Sequence, residues 1–401
     1  MAEIIVIGAG QAGSSLVVKL RALGCAGNIT LIGSEPVPPY QRPPLSKKYM
    51  LGEMDVERLF LRPEAFYADQ NITLRLGVAV TAIDGAAKTV TLNTGEVLDY
   101  DQLALTTGSD PIKLPPSIGG DLEGVYTVRT LADADAMAPD FVKGKRALIV
   151  GGGYIGLEAA AVAATHGVSV VLVEMANRIL QRVAAPETSD YFRTLHTTRG
   201  VDIRESVGLA TLNGRDGRVT SATLTDGTEL DIDFAVVGVG IRPSIALAES
   251  AGISIDNGIK VDAHGRTSDP SIFAAGDCTS FPHKGGRIRL ESVSNAIEQA
   301  EATAAAMLGD AAEYHAKPWF WSDQYDVKLQ IAGLNTGYDR VISRITDTTT
   351  SFWYYQGDQL LAVDAMNDPR AYMVGKRLIE AGKSPEPAAV QDPATDLKTL
   401  L

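Results

Sequence analysis

Two glycine clusters stand where the sequence could hold dinucleotides. Gly8-Ala9-Gly10-Gln11-Ala12-Gly13 and Gly151-Gly152-Gly153-Tyr154-Ile155-Gly156 share the spacing G-x-G-x-x-G. Each is followed about 20 residues on by an acid, Glu35 and Glu174. The spacing has a physical reason. The first glycine permits a tight turn, the second lets the backbone approach a pyrophosphate, and the third lets a helix pack closely on a strand. The helix N-terminus then offers free N–H groups and a partial positive charge to the phosphates. The acid accepts hydrogen bonds from ribose hydroxyls and, at Glu174, would repel the 2′-phosphate of NADP, which favours NADH. Arg178, four residues beyond Glu174, could weaken that repulsion.

The flanking residues read as the elements that must position these clusters. Ile4 to Ile7 and Ala147 to Val150 are short apolar strands leading into the glycines, with helices from Ser14 to Leu23 and to about His166. Ile29 to Ile32 and Val168 to Val173 are the second strands, ending near the acids. Each unit continues with a hairpin, Thr89 to Leu98 and Val219 to Leu230, and a strand ending at glycine, Leu103 to Gly108 and Phe234 to Gly238. A lone G-x-G-x-x-G is weak evidence, because glycine-rich turns are common; two copies in full strand–helix–strand context are strong. Two sites in one chain imply two dinucleotides, most simply a hydride donor and a tightly held acceptor.

Composition narrows the partners. The formal charge of −13 over 401 residues argues against nucleic acid and anionic membrane as main partners. Only two cysteines occur, Cys25 and Cys278, so a disulfide scaffold, a four-cysteine zinc site and a CxxC redox pair are excluded, and no metal site is expected. The N-terminal segment reads as a strand and not a secretory leader, and no apolar run reaches the length of a membrane span. The expected location is cytoplasmic.

These residues resemble the FAD/NAD-dependent ferredoxin reductases of the putidaredoxin reductase and biphenyl-dioxygenase reductase type, with rubredoxin reductase and apoptosis-inducing factor as more distant relatives. The resemblance runs through nearly the whole chain. Gly8, Gly10, Gly13 and Glu35 match the family's site for the ADP half of FAD. The stretch Pro39 to Lys47, with Arg42, matches a motif beside the pyrophosphate and isoalloxazine. Thr106-Thr107-Gly108 is similar to the family's Ala-Thr-Gly motif, and Thr267 to Asp277 to its second flavin motif, whose aspartate binds the ribityl chain. Arg289 to Gln299, with Glu291, Asn295 and Gln299, resembles the segment whose helix N-terminus faces the flavin pyrimidine, and Pro318 to Gln324, with Trp321, opens the characteristic C-terminal domain. Arg242-Pro243-Ser244 departs from the family's usual Pro-Asn after the Gly238-to-Gly240 strand end.

The resemblance implies an α/β fold: two nested Rossmann-like dinucleotide-binding domains of glutathione-reductase type plus a C-terminal α+β domain. The expected division is residues 1–110 and 243–317 for FAD, 111–242 for NAD, and 318–401 for the C-terminal domain. A hairpin around Gly357-Asp358 and a helix capped by Asp368 are expected there.

The implied activity is that of an NADH:ferredoxin oxidoreductase: hydride from NADH to N5 of tightly bound FAD, then single electrons to a 2Fe–2S ferredoxin that supplies a cytochrome P450 or a Rieske-type oxygenase. The resemblance puts Lys47 near N5 and Glu158 close to it, in the first turn of the NAD-domain helix. An ammonium there would stabilise the charge that hydride transfer creates, and a carboxylate would hold the ammonium. Gly151, Gly153, Tyr154, Ile155, Gly156, Glu174 and Gly240 are the expected NAD residues. Two readings stand for Tyr154: a cover for the flavin, or packing of the turn. Trp319, Phe320 and Trp321 likewise read either as core or as the edge of the flavin.

Glutathione-reductase-like enzymes, thioredoxin reductases and NADH peroxidases all relay electrons through cysteine. The loop Pro36 to Lys47 has none, Cys25 reads as ending a helix and Cys278 as a buried small residue, so reduced flavin must serve its acceptor directly. An acidic ferredoxin would need a local basic patch, for which Arg58, Arg62, Lys284, Arg287 and Arg289 are candidates. A rubredoxin reductase, a monodehydroascorbate-type reductase and a redox-sensing flavoprotein like apoptosis-inducing factor are the alternatives.

Overall fold

The computed structural model describes residues 2–401. The chain forms two compact units. One comprises the residues up to Gln41, Asp55–Asp110 and Ile241–Pro318; the other comprises Arg42–Met54, Pro111–Gly240 and Trp319–Leu401. The stretches 111–242 and 318–401, expected as separate domains, thus fall almost wholly in one unit, which also takes the loop around Lys47.

The first unit is built on a five-stranded parallel sheet. Its strands run in the order Ile272–Ala274, Gln102–Leu105, Glu3–Ile7, Asn28–Gly33, Ile72–Leu76. The central strand Glu3–Ile7 is apolar on both faces, as a strand covered on both sides must be, and Ile4, Ile5 and Val6 are buried. Helices Gln11–Ala22 and Val293–Met307 pack together, with Leu16, Leu20, Ala300 and Ala304 buried in one core with Val6 and Leu31.

The second unit repeats this plan with strands in the order Asp202–Glu205, Ser169–Glu174, Arg146–Val150, Phe234–Val237, Val125–Tyr126. Its fingerprint helix, Tyr154–Thr165, buries Leu157 to Ala163 without interruption, so it is a core helix and has no polar stripe in that stretch. A five-stranded antiparallel sheet follows, in the order Trp319–Gln324, Val327–Gly333, Gln359–Met366, Thr350–Gln356, Arg340–Ile345. Helix Pro369–Glu380 covers it, capped by the Asp368 carboxylate accepting from Ala371 N–H at 2.9 Å. The α/β class expected from the sequence is therefore the one observed, with an antiparallel sheet at the C-terminal end.

Both predicted hairpins are present, each extended to a three-stranded antiparallel sheet by an added strand, Val80–Asp84 and Leu209–Arg215, and two other local expectations need correction. Each added strand buries only one residue, Ile83 and Leu212, so neither carries a readable hydrophobic alternation. Glu158 lies in the second helical turn and not the first, because the helix starts inside the fingerprint at Tyr154. The dipole, which acts mainly within the first turn, therefore contributes less to its charge than expected. Cys25 lies beyond its helix, which ends at Ala22; its N–H returns to Leu20 O at 3.0 Å. Among the described residues no helix is long and apolar enough to cross a membrane.

Candidate functional site: two dinucleotide cradles and a buried ion pair

The two fingerprints have the same geometry. Gly8 has φ +111°, and a Cβ on it would meet Thr106 O at 2.2 Å. A Cβ on Gly13 would meet Gly8 O at 2.0 Å, yet one on Gly10 meets nothing within 4 Å. In the second copy Gly151 has φ +106° and its Cβ would meet Gly238 O at 2.4 Å. A Cβ on Gly156 would meet Gly151 O at 2.1 Å, and again the middle residue, Gly153, faces open space. The outer glycines are needed by the protein itself, and the middle glycine keeps room for a ligand. Gly10 and Gly153 are the helix N-caps and supply no side-chain cap, which leaves first-turn N–H groups for a pyrophosphate. The residues present fit a dinucleotide at both places.

Around the first cradle, the Thr106 hydroxyl lies 3.0 Å from Ile7 O and 2.8 Å from Gly8 O and pins the turn. Thr107 donates to Ser244 O at 2.7 Å, and Gly108 O accepts from Ser244 N–H at 2.9 Å. Asp277 accepts from Ser109 Oγ at 3.2 Å, and Glu35 accepts from Tyr40 OH at 2.6 Å. Asn295 and Gln299 are buried on the helix Val293–Met307. Gln299 Oε1 accepts from Gly276 N–H at 2.9 Å and Thr279 Oγ1 at 3.0 Å, and Asn295 Oδ1 accepts from Tyr314 OH at 2.9 Å. Gln299 therefore braces the loop that carries Asp277. Glu291 lies outside that helix and pairs with Arg289.

Around the second cradle, Glu174 stands at the end of its strand with both oxygens on backbone. Oε2 accepts from Gly152 N–H at 2.7 Å and Oε1 from Ala176 N–H at 2.8 Å. A carboxylate has about four acceptor positions, so two remain for ribose hydroxyls. Arg178 is committed elsewhere: its guanidinium donates to Ser189 Oγ at 2.5 Å and Ala184 O at 2.8 Å. Ile155 is exposed, and Gly240, at φ +118°, accepts from Ile112 N–H at 2.9 Å. Tyr154 has a buried hydroxyl without a hydrogen-bond partner among the described residues. Burial, aided by the charge of Asp364, holds that phenol well above its usual range.

Lys47 and Glu158, far apart in sequence, are brought together. Lys47 follows the 3-10 turn Pro43–Ser46, and its Nζ lies 2.9 Å from Glu158 Oε1. Glu158 is only 3% exposed, so it is no solvated helix charge. Two residues not expected from the sequence complete its shell: Ser46 donates to Oε2 at 2.9 Å and Ser322 to Oε1 at 2.7 Å. Burial pushes this carboxyl up, and Lys47, Ser322 and Ser46 oppose the rise. A buried ion pair persists only when its remaining polar capacity is satisfied, which the two hydroxyls achieve. Trp321 is stacked on Trp319 with ring centroids 5.5 Å apart, and Arg42 donates to Arg129 O at 2.6 Å.

The cysteines are both free. Cys278 is buried, with Sγ 3.5 Å from Ala275 O, and burial raises its thiol. Of the candidate basic patch, Arg287 is held by Val261 O at 2.8 Å and Asp256 at 3.6 Å, and Arg289 by Glu291. Exposed positive charge remains at Arg58, Arg62 and Lys284.

A family model described as pyridine nucleotide-disulphide oxidoreductase matches residues 2–300, and one described as reductase C-terminal matches residues 319–401. Over 405 residues the chain is 43% identical to a ferredoxin–NAD(P)+ reductase of a Sphingomonas species, covering 100% of this chain and 97% of that protein. It is 41% identical over 403 residues to rhodocoxin reductase of Rhodococcus erythropolis, covering 100% and 94%. The crystal structure of the covalent putidaredoxin reductase–putidaredoxin complex matches with a TM-score of 0.96 at 40% identity, covering 100% of this chain and 98% of that one.

Proposed function

The chain belongs to the pyridine nucleotide-disulphide oxidoreductase family, and on that premise we propose that it is an NADH-dependent ferredoxin reductase delivering electrons to a 2Fe–2S ferredoxin for a cytochrome P450 or a Rieske-type oxygenase. Membership implies FAD and a nicotinamide nucleotide as cofactors. Tightly bound FAD and NADH are the specific proposal, with FAD in residues 1–110 and 243–317, NADH in 111–242, and 318–401 as the C-terminal domain. A cytoplasmic setting belongs to the same reading. The observation that carries it is the pair of open cradles in a chain whose full-length relatives include ferredoxin reductases and whose two cysteines offer no CxxC relay.

The chemistry that bound FAD would supply here is hydride acceptance from a nicotinamide and single-electron release to an iron–sulfur acceptor. The chain's residues supply the rest. The helix N-termini after Gly10 and Gly153 hold the pyrophosphates. Glu35 and Glu174 accept from ribose hydroxyls, and with Arg178 bound to its own loop nothing on that side chain offsets Glu174's repulsion of a 2′-phosphate. The Lys47 ammonium favours negative charge where it develops, and Glu158, with Ser46 and Ser322, holds that ammonium in one place. Arg42, Thr107, Gly108, Asp277, Glu291, Asn295, Gln299 and Trp321 are proposed to shape the flavin site. Tyr154, Ile155, Gly156 and Gly240 are proposed to shape the nicotinamide site.

The test is NADH-driven reduction of cytochrome c with the enzyme and a 2Fe–2S ferredoxin, beside a parallel reaction with a rubredoxin. Ferredoxin-dependent turnover supports the proposal. A rate no higher than without ferredoxin, or faster turnover with rubredoxin, overturns it.

A further inference from the structure

The ion pair does not end at Ser322. Ser322 Oγ also lies 3.1 Å from Gln324 Nε2, and Gln324 Oε1 lies 2.8 Å from His196 Nε2. His196 Nδ1 faces Tyr325 OH at 3.4 Å. Ser322, Gln324 and His196 are fully buried, on the strand Trp319–Gln324 and the helix Pro186–Thr197. Tyr325, at the hairpin tip with φ +56°, is held under the Arg199 guanidinium at 4.6 Å.

We propose that His196 is a positioning residue for Glu158, fixing through Gln324 and Ser322 the direction of a hydrogen-bond chain that ends on the carboxylate. This rests on the proposed role of Glu158 in holding Lys47.

Donor counting gives the direction. An ionised carboxylate only accepts, so Ser322 spends its one proton on Glu158. Ser322 must then accept from its other neighbour, which requires the amide nitrogen of Gln324. The amide oxygen is left facing His196, so His196 carries its proton on Nε2, and Nδ1 is free to accept from Tyr325. A proton placed on Glu158 Oε1 and donated to Ser322 reverses every link. Ser322 turns to Gln324, the amide flips, and the imidazole proton moves to Nδ1. The ionisation of Glu158 and the tautomer of His196 are therefore one coupled choice.

The groups facing the two ends are few. Lys47 is the charged group against Glu158, with the Ser46 and Ser322 hydroxyls beside it. Around His196 stand Gln324, Tyr325 and the Arg199 cation. Burial and Arg199 hold the imidazole down to about 4, so it is neutral and has a tautomer to choose.

The experiment uses the full-length, FAD-loaded protein. Nitrogen-15 NMR of histidine-labelled enzyme should show His196 as the Nε2–H tautomer at pH 7; the Nδ1–H form overturns the proposal. Flavin reduction by NADH is then followed in single turnovers against pH. Ser322→Ala and Gln324→Met each remove a donor from the chain and should move the acidic limb upward by about one to two pH units, and Ser322→Thr should restore it. A limb that stays in place in both variants refutes the coupling. Glu158→Gln separates the two ideas. A limb that survives this change removes Glu158 from the reaction, while the tautomer measured by NMR still decides the chain.

Discussion

Asp364→Asn should stabilise this protein at neutral pH and leave it unchanged in acid. Asp364 is buried on the strand Gln359–Met366 and accepts from Thr188 Oγ1 at 2.7 Å and from Tyr354 OH. Both partners are neutral hydroxyls, and among the described residues no cation pairs with it. Burial pushes its carboxyl from 3.8 up to about 6, against those two hydrogen bonds. Between these values the folded chain holds a proton that the unfolded chain has lost. Stability therefore falls as pH rises through this window, and the penalty is complete above about 6. A shift of about two units corresponds to about 3 kcal/mol. Asparagine carries no charge, and with its amide oxygen at the Oδ2 position it accepts from both the Thr188 and the Tyr354 hydroxyl. Thermal melts of wild type and variant, followed by circular dichroism from pH 4 to 8, should converge at pH 4. At pH 8 they should separate by up to about 6–12 °C in favour of the variant. Parallel pH profiles, or a variant less stable at pH 8, would refute the assignment of an uncompensated buried charge.

Four further outcomes follow from the site. Lys47→Ala should lower the flavin potential by about 30 mV or more and slow reduction by NADH at least about tenfold; an unchanged potential and rate would remove the ammonium from the chemistry. Wild-type kcat/KM should be higher for NADH than for NADPH, and equal values would sink the role of Glu174. Gly153→Ala should leave the fold intact and raise KM for NADH about tenfold, since its Cβ meets only ligand space. Gly156→Ala should destabilise the unit by about 1–3 kcal/mol, because its Cβ would lie 2.1 Å from Gly151 O. The opposite ranking in melts and kinetics would overturn that division of labour.

The two cradles were legible because everything that makes them is local. Gly8, Gly10 and Gly13 announce a turn, an opening and a close contact within one strand-to-helix connection. The Lys47–Glu158 pair was legible only through motif likeness, since no spacing rule joins residues more than 100 positions apart. Ser46 and Ser322 sat inside recognised stretches, but a serine hydroxyl has no pattern of its own. Gln324 also closed a recognised stretch, but His196 gave no signal at all: their contact arises where a helix meets a hairpin, and only packing creates it. The strands Val80–Asp84 and Leu209–Arg215 were hidden for a different reason. Lying largely exposed, they owe their place to backbone pairing, which the side chains do not record.

Glu174 does two jobs with one carboxylate. Its oxygens fasten Gly152 and Ala176, so it is a strut of the fingerprint turn as well as the proposed gate against a ribose phosphate. Anyone redesigning this enzyme for NADPH by exchanging that residue for a neutral one removes the strut together with the gate. The loop would loosen for both nucleotides, and lost NADH turnover would be mistaken for altered preference. A successful redesign must first give Gly152 and Ala176 new acceptors, and only then invite the phosphate.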